Sequence, residues 1–282
     1  MPSIYGFSFE QLVDQWLPQG YKKFKAQQLY AWLYKRRILD VDQMSDLSKE
    51  FRQFLKDNYD FSLLKEVKRQ VSSDGTMKFL FECQDGALVE TVIMFHSYGP
   101  SICVSSQVGC AMGCVFCASG LLLKQRDLTT SEMVMQVLMG QLAIEERIGN
   151  VVVMGSGEPF DNYDNVMNFL DIVNSDYGMA IGARHMTVST CGLVPKIRQF
   201  AHEKQYNLAI SLHAPNDELR TKLMKVNQVY PLKELQSALI DYQKIQNRRL
   251  SFEYILLKGI NDQPQHVKEL KSFIQPFPNA YI

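Results

Sequence analysis

Along the first sixty positions the apolar residues recur at helical spacing. Phe9, Leu12, Val13, Trp16 and Leu17 share one face until Pro18 stops the segment, and Ser8 with Gln11 three positions on is a capping-box signal. The same period predicts further helices over about 24–37 and 48–59. Past residue 60 the period changes. Asp74-Gly75 and Asp85-Gly86 bracket 76–82, and 88–95 follows with β-branched enrichment, so antiparallel strands joined by tight turns are expected there.

From Ser101 onward, short buried runs at 102–105, 151–154, 186–189, 208–212, 252–256 and 280–282 alternate with amphipathic stretches. Between the first two runs, Thr129 and Glu132 form a second capping-box signal, with Val134, Val137, Leu138 and Leu142 on one face. This alternation predicts an α/β chain with parallel strands. Six runs with five intervening helices fit a partial (β/α)6 barrel over 98–282, preceded by a small accessory domain of helices and then strands over 1–97.

Composition narrows the partners. Thirty Lys plus Arg against thirty Asp plus Glu give a formal net charge of zero, so no global field draws a polyanion or a membrane surface. Any such contact must be local. One local candidate is 15–39, which holds no acidic residue and interleaves Lys22, Lys23, Lys25, Lys35, Arg36 and Arg37 with Tyr21, Phe24, Tyr30, Trp32 and Tyr34. It reads equally as an RNA contact that holds phosphates and stacks bases, or as a basic helix face over an aromatic core stripe. The apolar runs are far shorter than the ~20 residues that cross a bilayer. With no secretory signal at the N-terminus, the cytoplasm is the default compartment.

Six cysteines, three of them within 110–117, do not form a disulfide framework; reduced thiols with a metal are expected. Cys110, Cys114 and Cys117 make a CxxxCxxC motif directly after the first barrel run. Three thiolates so spaced can hold three irons of a 4Fe-4S cluster and leave the fourth open to an outside ligand. The alternatives are a zinc site completed by Cys103 and a redox pair at Cys114 and Cys117. Position favours the cluster. In β/α folds chemistry gathers at the C-terminal ends of parallel strands, where this chain places the cysteine loop, Gly155 to Pro159, Ser189-Thr190 and Ser211 to His213. Gly157 lets the backbone approach a ligand, and Glu158 is suited to accept from an ammonium group.

CxxxCxxC followed by GxGEP after the next strand resembles the radical S-adenosylmethionine enzymes. Residues 103–110 (CVSSQVGC), 155–159 (GSGEP), 187–190 (TVST) and 211–215 (SLHAP) narrow the resemblance to the RlmN/Cfr family of adenine methyltransferases, over nearly the whole chain. Phe160 after Glu158-Pro159 and the NYDN stretch at 162–165 place it nearer the RlmN branch, which acts on carbon 2, than the Cfr branch, which acts on carbon 8.

The resemblance implies a radical-SAM barrel with a 4Fe-4S cluster on Cys110, Cys114 and Cys117, and S-adenosylmethionine on Gly157, Glu158, Ser189, Ser211, Leu212 and His213. It implies Glu90 as general base and Cys103 as the thiol that attacks during product release. Without the resemblance, Glu90 reads as a solvated strand face, Cys103 as a small buried hydrophobe, Cys83 as a β-layer core residue and Cys191 as a core or near-site thiol. The implied partners are 23S rRNA, with tRNA as a further substrate, and an electron donor such as flavodoxin; a monomer away from membranes is expected. The family's methyl-carrying cysteine would follow the last barrel strand, yet no cysteine follows Cys191. The expectation is therefore a shortened family member, with a non-catalytic cluster- and RNA-binding remnant as the second reading.

Overall fold

The computed structural model describes residues 1–282. In chain order its elements are α1 (Phe9–Trp16), α2 (Phe24–Tyr30), α3 (Lys49–Asn58), β1 (Lys65–Val71), β2 (Met77–Glu82), β3 (Leu88–His96), β4 (Gly99–Cys103), β5 (Gln107–Val108), β6 (Arg126–Asp127), α4 (Thr130–Leu142), β7 (Asn150–Val153), α5 (Tyr163–Asn174), β8 (Met186–Thr190), α6 (Val194–Phe200), β9 (Asn207–Ser211), α7 (Asp217–Leu223), α8 (Leu232–Gln246), β10 (Leu250–Glu253) and α9 (Pro264–Ile274). Short 3-10 turns join several of them. They fall into two compact units interleaved along the chain. The first takes 1–105, 128–151 and 164–182; the second takes 106–127, 152–163 and 183–282.

In the first unit both expected capping boxes form, Ser8 with Gln11 on α1 and Thr129 with Glu132 on α4. α1 and α3 share an aromatic core in which Trp16 meets Phe51 edge-on and donates its indole N–H to the Tyr59 hydroxyl at 2.7 Å. α2 is shorter than expected, continuing as one π-helical segment, Ala31–Arg36, that ends at Arg37 with left-handed backbone. Tyr30, Trp32 and Tyr34 on this stretch are buried, so they belong to the core and cannot stack bases. The Lys22, Lys23, Lys35 and Arg36 side chains remain in solvent.

β1 to β4 form an antiparallel meander. β1 went unseen in the sequence because all seven of its residues are exposed, leaving no alternation to detect; it is held by its ladder to β2 and by the Lys65–Glu82 ion pair at 2.8 Å. β4 begins earlier than the run at 102–105 suggested, pairing back on β3 with Val92 opposite Cys103. Behind it lies a buried amide. Gln136 Oε1 accepts from the Thr91 hydroxyl and the Ser105 N–H, both at 2.8 Å, and Gln136 Nε2 donates to Ser105 O at 3.1 Å.

The second unit carries the parallel ladder β8-β9-β10. Its register sets Ser189 beside Ala209 and Ser211 beside Glu253, which brings the C-terminal ends of the three strands level. α6 and α8 cover it, with Phe200 and Tyr242 stacked 6.2 Å apart. The run at 280–282 is reduced to one parallel bridge, where Tyr281 O accepts from Phe252 N–H at 2.8 Å and Tyr281 N–H donates to Leu250 O at 3.0 Å. The expected α/β class with parallel strands is present. No helix is long and apolar enough to cross a membrane.

Gln136→Leu removes every polar contact of that buried amide at little cost in volume. It should destabilise the chain by about 3 kcal/mol, because the Thr91 hydroxyl then stays buried without its acceptor. A chemical-unfolding midpoint unchanged from wild type would show that the amide does not tie α4 to the meander.

Candidate active site

A cavity of about 240 Å³ lies within the second unit. The cysteine loop forms one wall. It leaves the two-stranded ribbon β5–β6, in which Gln107 pairs with Asp127 and Val108 with Arg126, and it is tied down by Cys110 N–H to Leu122 O and Val115 N–H to Leu223 O at 3.2 and 3.0 Å. Cys110, Cys114 and Cys117 are all half-buried and all line the cavity, with Met112 and Phe116 between them. Burial pushes the Cys114 thiol up to about 11 and raises Cys110 as well, and the neighbouring thiols and Glu158 add to both shifts. Left alone, the Cys110 and Cys114 sulfurs stay protonated at neutral pH. A cationic group bound between them is what makes three adjacent thiolates stable.

The turn after β7 forms the second wall. Gly157 has φ +112°, and a Cβ placed there would lie 2.7 Å from both Gln107 Cβ and Ser106 Oγ. The glycine therefore serves the contact of two chain segments, beyond the ligand approach read from the sequence. Glu158 is buried, with Oε1 accepting from Phe160 N–H at 3.0 Å and Oε2 from Cys191 N–H at 2.7 Å. Burial raises its carboxyl, and the hydrogen bonds from Cys191, Thr190 and Phe160 oppose that shift. The carboxylate is fixed in direction and faces the cavity.

Three strand ends complete the site. Ser189 Oγ and Ser211 Oγ donate to Glu253 Oε2 at 2.9 and 2.7 Å, so their protons point at one carboxylate and their lone pairs remain for a ligand. His213 has left-handed backbone at φ +55°; its Nδ1 accepts from Ile255 N–H at 3.1 Å, and its ring meets Phe116 edge-on. Burial first, and the charge of Arg220 second, push the His213 imidazole down to about 4. It is neutral at physiological pH.

Of the eleven residues singled out in the sequence, Cys110, Cys114, Cys117, Gly157, Glu158, Ser189, Ser211 and His213 line this cavity. The Leu212 side chain does not: it is fully buried, and only its backbone is placed beside the site, with its N–H on Glu253 O. Glu90 and Cys103 belong to the first unit. Glu90 on β3 is about half exposed and pairs with Lys78 at 2.8 Å, while Cys103 ends β4. Glu253 was missed because the apolar run at 252–256 seemed to carry the strand further. β10 ends at Glu253, level with Ser211, and that strand-end position was the available signal.

A model of the radical SAM superfamily matches residues 104–270, and one of the ribosomal RNA large subunit methyltransferase N-terminal domain matches 3–60. A relative in Enterococcus faecalis, named a probable dual-specificity RNA methyltransferase RlmN, is 52% identical over 97% of this chain and 78% of its own length. The chain belongs to the RlmN family. A relative of the same name in Streptococcus thermophilus is also 52% identical, over 95% of this chain and 71% of its own. A solved radical SAM methyltransferase from Sphaerobacter thermophilus superposes with a TM-score of 0.92 at 39% identity, covering 99% of this chain and 83% of that one. Its likeness covers the β-meander as well as the parallel strands. RlmN membership brings a 4Fe-4S cluster and S-adenosylmethionine as cofactors, against the zinc and redox-pair readings of the cysteine loop.

Two measurements check the geometry. Gly157→Ala should cost roughly 2–4 kcal/mol, since it forces a side chain into a φ reserved for glycine and into Gln107; a thermal midpoint within error of wild type would refute the close packing. His213 gives a pH signature in the metal-free chain. The unfolded imidazole takes its proton near 6.5 and the folded one only near 4. The folded state thus binds fewer protons across that window, and stability should fall as pH drops from 6.5 to 4, by on the order of 3 kcal/mol in full. His213→Gln should flatten that slope in unfolding midpoints measured at each pH.

Proposed function

We propose that this chain is a radical S-adenosylmethionine methyltransferase that adds a methyl group to carbon 2 of an adenine in RNA, with 23S rRNA and tRNA as substrates. The observation that carries the reading is the convergence of three thiols and three strand-end acceptors on one cavity that no Lys or Arg lines. The donor set fits the family's groups: three sulfurs for three irons, and fixed carboxylates for the ammonium and sulfonium of the cofactor. A 4Fe-4S cluster bound there supplies a low-potential electron and an open iron, the radical chemistry that a non-nucleophilic carbon 2 demands.

The chain's own residues prepare that chemistry. Glu158 presents a carboxylate whose direction is set by two backbone N–H groups. Ser189 and Ser211 offer lone pairs, because Glu253 holds their protons. His213 stays neutral beside a cationic ligand, and Met112, Phe116 and Met224 exclude water from the sulfurs. In the same reading Glu90 takes the proton lost from carbon 2, which requires its Lys78 ion pair to open, and Cys103 is the thiol that attacks the sulfur of the family's methyl-carrying cysteine, forming a disulfide as the carbon–sulfur bond to the base breaks. A one-electron protein donor of the flavodoxin kind, a monomeric state and a cytoplasmic location belong to this reading. The exposed Lys22, Lys23, Lys35 and Arg36 are its phosphate contacts.

Anaerobic reconstitution should load about four irons per chain, Cys114→Ala should abolish the loading, and S-adenosylmethionine should perturb the EPR spectrum of the reduced protein. Deleting the gene from its host should remove 2-methyladenosine from ribosomal RNA in nucleoside mass spectrometry. Persistence of that nucleoside would sink the substrate assignment, and loss of 8-methyladenosine instead would move the reaction to carbon 8.

A further inference from the structure

Arg220 on α7 is fully buried, at 0% exposure. A guanidinium is charged at any physiological pH and carries five N–H donors, so burying one costs several kcal/mol unless its donors and its charge are both answered. Four of the five donors are answered. Nε donates to Leu212 O at 3.2 Å, Nη2 to Cys191 O at 2.6 Å and to Ser211 O at 3.2 Å, and Nη1 to Asn227 Oδ1 at 3.0 Å. The charge is met by no direct ion pair, because all four acceptors are neutral. Asp217 is reached only through Asn227, whose Nδ2 donates to Asp217 Oδ1 at 2.9 Å.

The position of that charge is informative. Its main-chain acceptors are Cys191, Ser211 and Leu212, two of which line the cofactor cavity and the third of which sits between two lining residues. α7 also touches the cysteine loop directly, through Val115 N–H to Leu223 O at 3.0 Å. Cys191, Ala214, Leu223, Met224 and Val226 form a buried cluster against which Cys114 and Phe116 pack. Charges that interact across such apolar packing are screened far less than charges in solvent. Consistent with this, the Arg220 charge lowers the His213 imidazole, together with the larger effect of burial.

Three thiolates on an oxidised 4Fe-4S core leave a net negative charge, and reduction adds another. We propose that Arg220 is a positioning residue that also acts electrostatically. Its buried charge, which no direct ion pair meets, is the counter-charge of the cluster on Cys110, Cys114 and Cys117 and raises that cluster's reduction potential, while its fork fixes the carbonyls at the ends of β8 and β9. The proposal rests on the cluster reading above. It extends that reading by naming what makes the low-potential electron acceptable to the site.

The test is a potentiometric EPR titration of the anaerobically reconstituted chain, with dithionite supplying the single electron. Arg220→Gln keeps some donors and loses the charge; at the wild-type midpoint its reduced-to-oxidised ratio should fall about tenfold, which is ~59 mV for a one-electron couple. Arg220→Lys keeps the charge and loses the fork, so its potential should stay near wild type while its thermal midpoint drops. A merely structural arginine predicts a lower thermal midpoint in both variants and the wild-type potential in Arg220→Gln, and that result overturns the proposal. If Arg220→Gln does not fold, Asp217→Asn decides. Removing that exposed carboxylate leaves Arg220 in place with less opposing charge, so the potential should rise at low ionic strength, and no rise overturns the proposal. Failure of the wild-type chain to take up iron would count against the cluster reading itself, a separate outcome.

Discussion

The contact of Gly157 with Ser106 and Gln107 sets the geometry of the second unit's site. Ser156 O accepts from both Ser106 N–H and Gln107 N–H, at 2.9 and 3.1 Å, so two main-chain segments meet with no side chain between them. The Gln107 amide then spends all its capacity on the join: Oε1 accepts from Glu158 N–H, and Nε2 donates to Asp127 and Asp161. Lys124 closes the network on Asp161 at 2.7 Å. The base of the cysteine loop and the start of the Glu158 turn are thereby held in one register. A Cβ at position 157 would push them apart, and the thiols and the carboxylate would lose their common focus.

Electrostatically the cavity is one-sided. Its lining offers thiols, two carboxylates and two seryl oxygens, with a histidine that burial keeps neutral and no cationic side chain. Such a surface disfavours anions and favours a cation, which suits both iron and a ligand bearing ammonium and sulfonium charge. Positive groups stand outside that lining: the Lys225 side chain lies against Gly113 on the cysteine loop, and Arg220 is buried behind the wall, donating to the Cys191 and Ser211 carbonyls.

How far the sequence could be read follows from what each residue does. The capping boxes, the cysteine loop, the Gly157 turn and most parallel runs were legible because local chemistry alone demands them: an N-cap oxygen, ligand spacing, a buried apolar stretch. β1 was not legible, since a strand exposed along its whole length carries no alternation. Arg220 and Glu253 were not either. One looks like any helix-surface arginine and the other like part of a strand; the register of β9 and β10 places Glu253, and only its hydrogen bonds to the carbonyls at the strand ends place Arg220. Tyr30, Trp32 and Tyr34 show the reverse case, where a pattern that also fits stacked bases is satisfied by packing inside the protein, while Phe24 stays exposed.

The interleaving of the two units orders events in time. The segment 106–127 leaves the ribosome well before Glu253, the last residue to join the cavity wall, and the first unit is incomplete until Gly182 has emerged. Domains fold as units during synthesis. The three thiols are thus made early and housed late, and through that interval they stand open to oxidants and stray metal ions. A complete wall for the three thiols therefore exists only once the parallel strands through β10 have been made.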